Sequence, residues 1–146
     1  MLDLHVILLV EDDANDALIT QRMLRKAGIT HRIVHVNDGW EAINYLAGKG
    51  PFSDRSAFPI PKLILLDIKL PKYDGFDVLT WLQSKPALSK VPVVVLTGST
   101  QLDDRKRATE LGAIGFEIKA IDSIEFAAIV KNIRVHLPDP PVIPSP

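Results

Sequence analysis

The sequence predicts an α/β domain built on a doubly wound, five-stranded parallel sheet, with strand and helix alternating five times. Two observations carry this reading. Apolar runs of strand length at Val6–Val10, Leu63–Leu66 and residues 91–96 lack period-two alternation, as strands buried on both faces do. Between them lie segments whose apolar residues recur at helical spacing. Right-handed crossovers in such a unit imply the strand order 2-1-3-4-5, with the switch point between the first and third strands. At 146 residues and 47% hydrophobic, the chain is long enough for one such domain with a real core.

The first strand, Val6–Val10, ends in Glu11, Asp12 and Asp13. A helix follows from Ala14, with Ala17, Leu24 and Ala27 on one stripe, Arg22, Arg25 and Lys26 off it, and Gly28 as its stop; Asp13 reads as its cap. Arg32–Val36 alternates polar and apolar like a half-exposed edge strand, and Asp38 to Glu41 has the form of a capping box opening a second helix to about residue 46. Residues 48–61 hold three prolines and two glycines without periodicity, which is a long loop for a compact α/β unit.

Leu63–Leu66 is the central strand, and Asp67 follows at once, at the edge where open α/β sheets bind ligands. Pro71 and the Asp74-Gly75 pair end the extended run, and Asp74 to Asp77 opens a third helix. Residues 91–96 lead to Thr97, Gly98, Ser99 and Thr100; the Ser99 and Thr100 hydroxyls are expected to start a fourth helix running to residue 111. Residues 113–118 form the last strand and end in Lys119. A final helix, capped by Asp122 and Glu125, carries Phe126, Ile129, Val130, Ile133 and Leu137, a stripe read as core with part left for a dimer surface. Five of the last nine residues are proline, so residues 138–146 are expected to be an extended tail after a domain of residues 1–137.

Seventeen basic and eighteen acidic side chains leave no global field to attract nucleic acid or an anionic membrane. With no cysteine there are no disulfides, thiolate metal sites or cysteine nucleophiles. No apolar run approaches the ~18 residues that span a bilayer, and no leader pattern opens the chain, so the expected location is the cytoplasm. Trp40 and Trp81 read as packing residues, Arg105, Lys106 and Arg107 as a solvated helix face, and His5, His31, His35 and His136 lack ligand spacing.

A parallel sheet brings Glu11, Asp12, Asp67, Thr97 and Lys119 to one edge. Three close carboxylates repel and, unless one is protonated, call for a divalent cation; oxygen-only ligation suits Mg²⁺. A carboxylate beside such a cation can attack phosphorus and form an aspartyl phosphate, with Lys119 and the Thr97 hydroxyl sharing the phosphoryl charge.

This set resembles the receiver domain of two-component response regulators over about residues 4–137. Four motifs match in register: Leu9 to Asp13, Leu65 to Gly75, Val95 to Ser99 and Gly115 to Lys119. The resemblance implies a flavodoxin-like receiver fold. It makes Asp67 the phosphoacceptor, Asp12 a direct Mg²⁺ ligand, Glu11 a ligand mainly through water, and the Lys69 backbone carbonyl a further ligand. Thr97 becomes the switch hydroxyl, Lys119 its cationic partner and Phe116 the aromatic that moves with Thr97. A sensor histidine kinase would donate the phosphoryl group, and the surface of the fourth helix, fifth strand and fifth helix would switch partners or dimerise. The long 48–61 loop and the lack of an effector domain look most like regulators that partner bacterial phytochrome kinases.

Two departures stand out. Receivers usually carry proline after the lysine, where this chain has Ala120, and a cis bond there would cost about 2.5–4 kcal/mol. Phe116 replaces the commoner tyrosine and has no hydroxyl. Lys69 is expected to crowd the attacking water and slow self-hydrolysis. The competing readings are a phosphorylation-independent interaction module, an enzyme that hydrolyses external phosphate esters, and a nucleotide- or flavin-binding doubly wound domain. A haloacid-dehalogenase-type phosphatase needs an aspartate where Lys69 stands, and a nucleotide site needs glycine where the first turn is acidic. The chain is therefore expected to act on itself alone and not on external substrates.

Overall fold

The computed structural model describes residues 5–119 and 123–137. In chain order they form β1 (Val6–Val10), α1 (Ala14–Lys26), β2 (Arg32–Val36), α2 (Gly39–Ala47), a 3-10 turn (Gly50–Phe52) and β3 (Leu63–Leu66). Then come α3 (Gly75–Gln83), β4 (Val93–Thr97), α4 (Leu102–Glu110), β5 (Gly115–Ile118) and α5 (Ser123–Val135). All strand pairs are parallel and the order is β2-β1-β3-β4-β5, as the apolar runs imply.

Alternate residues of each strand feed two cores. Ile7, Leu9, Leu63, Leu65, Val94 and Leu96 meet α1 and α5, where Ile129, Val130 and Ile133 are buried. Val6, Leu8, Val10, Ile64, Leu66 and Val95 meet α2 and α3. Burying each such side chain stabilises the fold by about 1.5–3 kcal/mol, so the central strands are the firmest part of the scaffold. Those three α5 residues are therefore taken up by the core and offer nothing to a dimer.

Two strands are shorter than the sequence suggests. Pro92 has no N–H for the ladder, although its carbonyl accepts from Ile64 at 2.9 Å, and β4 begins at Val93. The Ala113 N–H closes α4 on the Ala108 carbonyl at 3.0 Å, so pairing resumes only when the Ile114 N–H reaches Val93 and β5 starts at Gly115.

Caps differ in detail. Asp13 accepts from the Asp16 N–H at 3.0 Å, and Asp74 and Asp77 form a reciprocal capping box. At α2 only half the expected box forms: Asp38 accepts from Glu41 at 2.7 Å, but Glu41 turns to the backbone N–H and side-chain amide of Asn37. Nor do Ser99 and Thr100 directly cap α4. The cap position is Gln101 with no side-chain bond, while the Ser99 hydroxyl accepts from the Gln101 N–H and donates to Asp104 at 2.5 Å. Among the described residues no helix is long and apolar enough to cross a membrane. Ala120, Asp122 and residues 138–146, with the expectations attached to them, lie outside the described residues, as does the Phe126 side chain.

Candidate functional site

Register places the site. Val10 pairs with Leu66, so the next residues, Glu11 and Asp67, leave the sheet side by side. Their backbones extend the ladder by one step: the Asp67 N–H donates to Val10 at 3.1 Å and the Glu11 N–H to Val36 at 3.1 Å. Both carboxylates are buried, at 3% exposure for Glu11 and 6% for Asp67, while Asp12 is exposed. Thr97 ends β4 and is buried; its carbonyl accepts from the Lys119 N–H at 2.7 Å, which fixes the end of β5 against it. The Thr97 hydroxyl accepts from the Ser99 N–H at 3.3 Å.

The Lys119 ammonium sits among these acids. Its Nζ is 2.8 Å from Glu11 Oε2, 2.8 Å from Asp67 Oδ2 and 2.9 Å from Asp16 Oδ2, so each of its three donors faces a different carboxylate. Asp16 is the site residue that sequence reasoning missed. An acid in the first turn of a helix reads as a partner of the helix dipole. Nothing in its local spacing links it to a lysine 103 positions later.

Electrostatics follow from burial and crowding. Burial pushes the Glu11 carboxyl up to about 7, with the Asp67 charge adding to the rise and Lys119 and the Asp13 N–H opposing it. Burial also works against the Lys119 charge, but hydrogen bonds to Asp67, Glu11 and Asp16 outweigh it and hold the ammonium above its ordinary range. Oxygens of Glu11, Asp12 and Asp67 all lie within 4.8 Å of one another. An all-oxygen donor set with surplus negative charge fits a hard divalent cation such as Mg²⁺ or Mn²⁺.

The remaining expected residues are near the site. The Lys69 N–H donates to Asp67 Oδ1 at 3.3 Å, and its side chain is exposed. Phe116 on β5 is partly buried against the α2–α3 core, with the Arg105 guanidinium 6.0 Å from its ring centroid. Arg107 lies 4.2 Å from the Phe76 ring centroid; Arg105, Lys106 and Arg107 are all exposed, so this is a solvated helix face whose two arginines also lie over aromatic rings. His35, given no role from the sequence, has Nε2 at 2.7 Å from the Glu11 carbonyl and braces that turn.

Trp40 is not a core residue. It is 49% exposed and stacks on Tyr73 at 5.7 Å between centroids, because the loop after Asp67 folds back onto the start of α2. Trp81 is partly buried against the core.

Comparison with known proteins agrees with this arrangement. Residues 7–143 match the response regulator receiver domain. Response regulator Rcp1 of Synechocystis sp. is 42% identical over 129 residues, spanning 88% of this chain and 86% of that protein. The crystal structure of the Mn²⁺-bound form of Rcp1 superposes with a TM-score of 0.78 at 36% identity, covering 89% of this chain and 91% of that one. That of the phosphorylated cyanobacterial phytochrome response regulator RcpA gives 0.79 at 37%, with coverage of 89% and 91%. This chain, with its acid pocket at the β1 and β3 tips and its lysine after β5, belongs to the response regulator receiver domain family.

Proposed function

We propose that the chain is a phosphorylation-driven switch of the single-domain type, in which Asp67 accepts a phosphoryl group from a histidine kinase. The observation that carries this is the Lys119 ammonium at 2.8 Å from both Glu11 and Asp67, two buried carboxylates at neighbouring strand tips. An Asp67 oxygen attacks phosphorus, and the bond from phosphorus to the kinase imidazole nitrogen breaks with its electrons left on nitrogen. Lys119 then pairs with the phosphoryl oxygens, and the Thr97 hydroxyl turns from the Ser99 N–H toward them. Asp12 and Asp67, with Glu11 and the Lys69 carbonyl, would hold Mg²⁺, which would offset the charge gathering on the phosphoryl group.

As Thr97 moves, Phe116 follows, and the surface formed by α4, β5 and α5 changes its affinity for a partner or a second copy. Leu102 on α4 is 78% exposed and Ile118 on β5 is 45% exposed, which gives that surface apolar contacts to offer. The donor is a sensor histidine kinase of the bacterial phytochrome class, a reading supported by the phytochrome regulator among the similar structures. The near-balanced charge supports a protein partner and not nucleic acid or membrane. The chain acts on its own aspartate alone.

The test is intact-mass analysis after incubation with acetyl phosphate, with and without Mg²⁺, on wild type and Asp67→Asn. One phosphoryl adduct that requires both Mg²⁺ and Asp67 is expected. No adduct despite measurable Mg²⁺ binding would overturn the reading in favour of a phosphorylation-independent interaction module.

A further inference from the structure

Lys119 has three carboxylate partners, and they are not equivalent. Glu11 and Asp67 belong to the cluster of oxygens that fits a divalent cation, together with Asp12. Asp16 does not. It stands on the first turn of α1, its backbone N–H held by the Asp13 cap at 3.0 Å, and reaches Lys119 from the solvent side with 40% of its side chain exposed.

The state in which phosphoryl transfer happens is the one in which Glu11 and Asp67 are engaged elsewhere. With a divalent cation bound, their oxygens would be drawn to it, and two of the three partners of Lys119 would weaken together. A lysine on a flexible four-carbon stem, 21% exposed, would in that state move its ammonium into water. Its backbone is fixed by the N–H bond to Thr97, but that bond does not aim the side chain. Of its three carboxylate partners among the described residues, Asp16 is the one left to hold it.

We infer that Asp16 is a positioning residue: it tethers the Lys119 ammonium beside Asp67 when Glu11 and Asp67 are occupied by the divalent cation. This rests on Asp67 being the phosphoacceptor. Two consequences share one sign. Without the Asp16 carboxylate, Lys119 keeps two partners when the cation is absent and none of the three when it is bound, which favours the cation-free state, and the pocket also loses a negative charge. Both weaken cation binding. Meanwhile the ammonium is less often in place for the incoming phosphoryl group, so transfer slows.

The experiment is a double-mutant cycle with wild type, Asp16→Asn, Lys119→Ala and the double variant. Mg²⁺ affinity is read by calorimetry, and adduct formation from acetyl phosphate by intact mass, a donor that avoids any kinase contact with α1. Asp16→Asn is expected to slow adduct formation about fivefold and weaken Mg²⁺ binding about threefold, the range of a partly exposed ion pair. In the Lys119→Ala background the same change should alter either quantity by clearly less. Equal losses in both backgrounds, or no loss in Asp16→Asn, would overturn the tether. If wild type forms no adduct, the phosphoacceptor reading fails; the Mg²⁺ arm of the cycle still decides whether Asp16 acts through Lys119.

Discussion

Two loops flank the central strand β3, and opposite physics holds them. The loop before it, residues 48–62, is locked by packing. The Arg55 guanidinium donates to the carbonyls of Tyr45 at 2.7 Å, Leu46 at 2.5 Å and Phe58 at 3.0 Å. Tyr45, fully buried, meets Phe52 at 5.1 Å and Phe58 at 6.1 Å between centroids and donates its hydroxyl to Pro59 at 2.8 Å. Its partly buried cation, Arg55, is satisfied by neutral carbonyls.

The loop after β3 begins at the buried Asp67 and is held by charge and backbone geometry. It passes through two non-glycine residues in the left-handed region, Lys72 at φ 46° and Tyr73 at φ 71°, a conformation that costs energy and persists only when its surroundings enforce it. The enforcement comes from α2, whose Trp40 N–H donates to the Lys72 carbonyl at 2.8 Å, and from Gly39, where an added Cβ would fall 2.0 Å from the Tyr73 carbonyl oxygen. The difference separates scaffold from site: the first loop should ignore pH and metal, and the second should respond to both.

Breaking the packed loop gives the largest expected effect. Tyr45→Ala should lower unfolding free energy by about 3–5 kcal/mol in urea titrations. Phosphorylation of the folded fraction should be unaltered. A variant that keeps its stability would show that the aromatic cluster does not hold this loop.

Gly39→Ala strikes the other loop. The obstacle is backbone and not a flexible side chain, so the loop must shift. About 2 kcal/mol of stability should be lost, and Mg²⁺ affinity should fall with it because Lys69 lies on the same loop. Unchanged Mg²⁺ affinity would separate the α2 contact from the cation site.

The charged site should titrate. Glu11 is pushed from 4.5 up to about 7 by burial, so without cation the fold favours its protonated form. The stability this gives is present below the unfolded value and is lost as pH rises through about 7. Glu11→Gln should therefore be more stable than wild type at pH 8, by about 1–2 kcal/mol, and lack the decline between pH 4.5 and 7. Wild-type Mg²⁺ affinity should rise over the same window; a flat profile would show that Glu11 is already ionised at its lower end.

The smallest effect concerns Lys69, whose exposed side chain stands two residues after the acceptor. Lys69→Ala should shorten the lifetime of the phosphorylated form about twofold, a few tenths of a kcal/mol in the barrier. A lifetime unchanged or longer would remove the idea that Lys69 crowds the attacking water.

The sheet and the strand-tip acids were legible in the sequence because both signals are local. A continuous apolar run must be buried on both faces, and the polar residue ending it must emerge at the sheet edge. What escaped the sequence depends on contacts between distant segments. Asp16 looks like an ordinary first-turn acid until β5 brings Lys119 to it. Trp40 stacks on Tyr73 because Lys72 and Tyr73 turn left-handed; Pro71 and Asp74-Gly75 announce a turn there, but not that it folds back onto α2. Arg55, in a stretch without periodicity, gave no sign that it would bind the end of α2.

The most direct test of the account is to locate the phosphoryl group. Borohydride reduction of the acetyl-phosphate-treated protein converts an aspartyl phosphate to homoserine, and peptide mass spectrometry reads its position. Homoserine at position 67, dependent on Mg²⁺, is the expected result. Homoserine at another acid of the pocket, with Asp67 intact, would contradict the assignment on which the whole reading of the site rests.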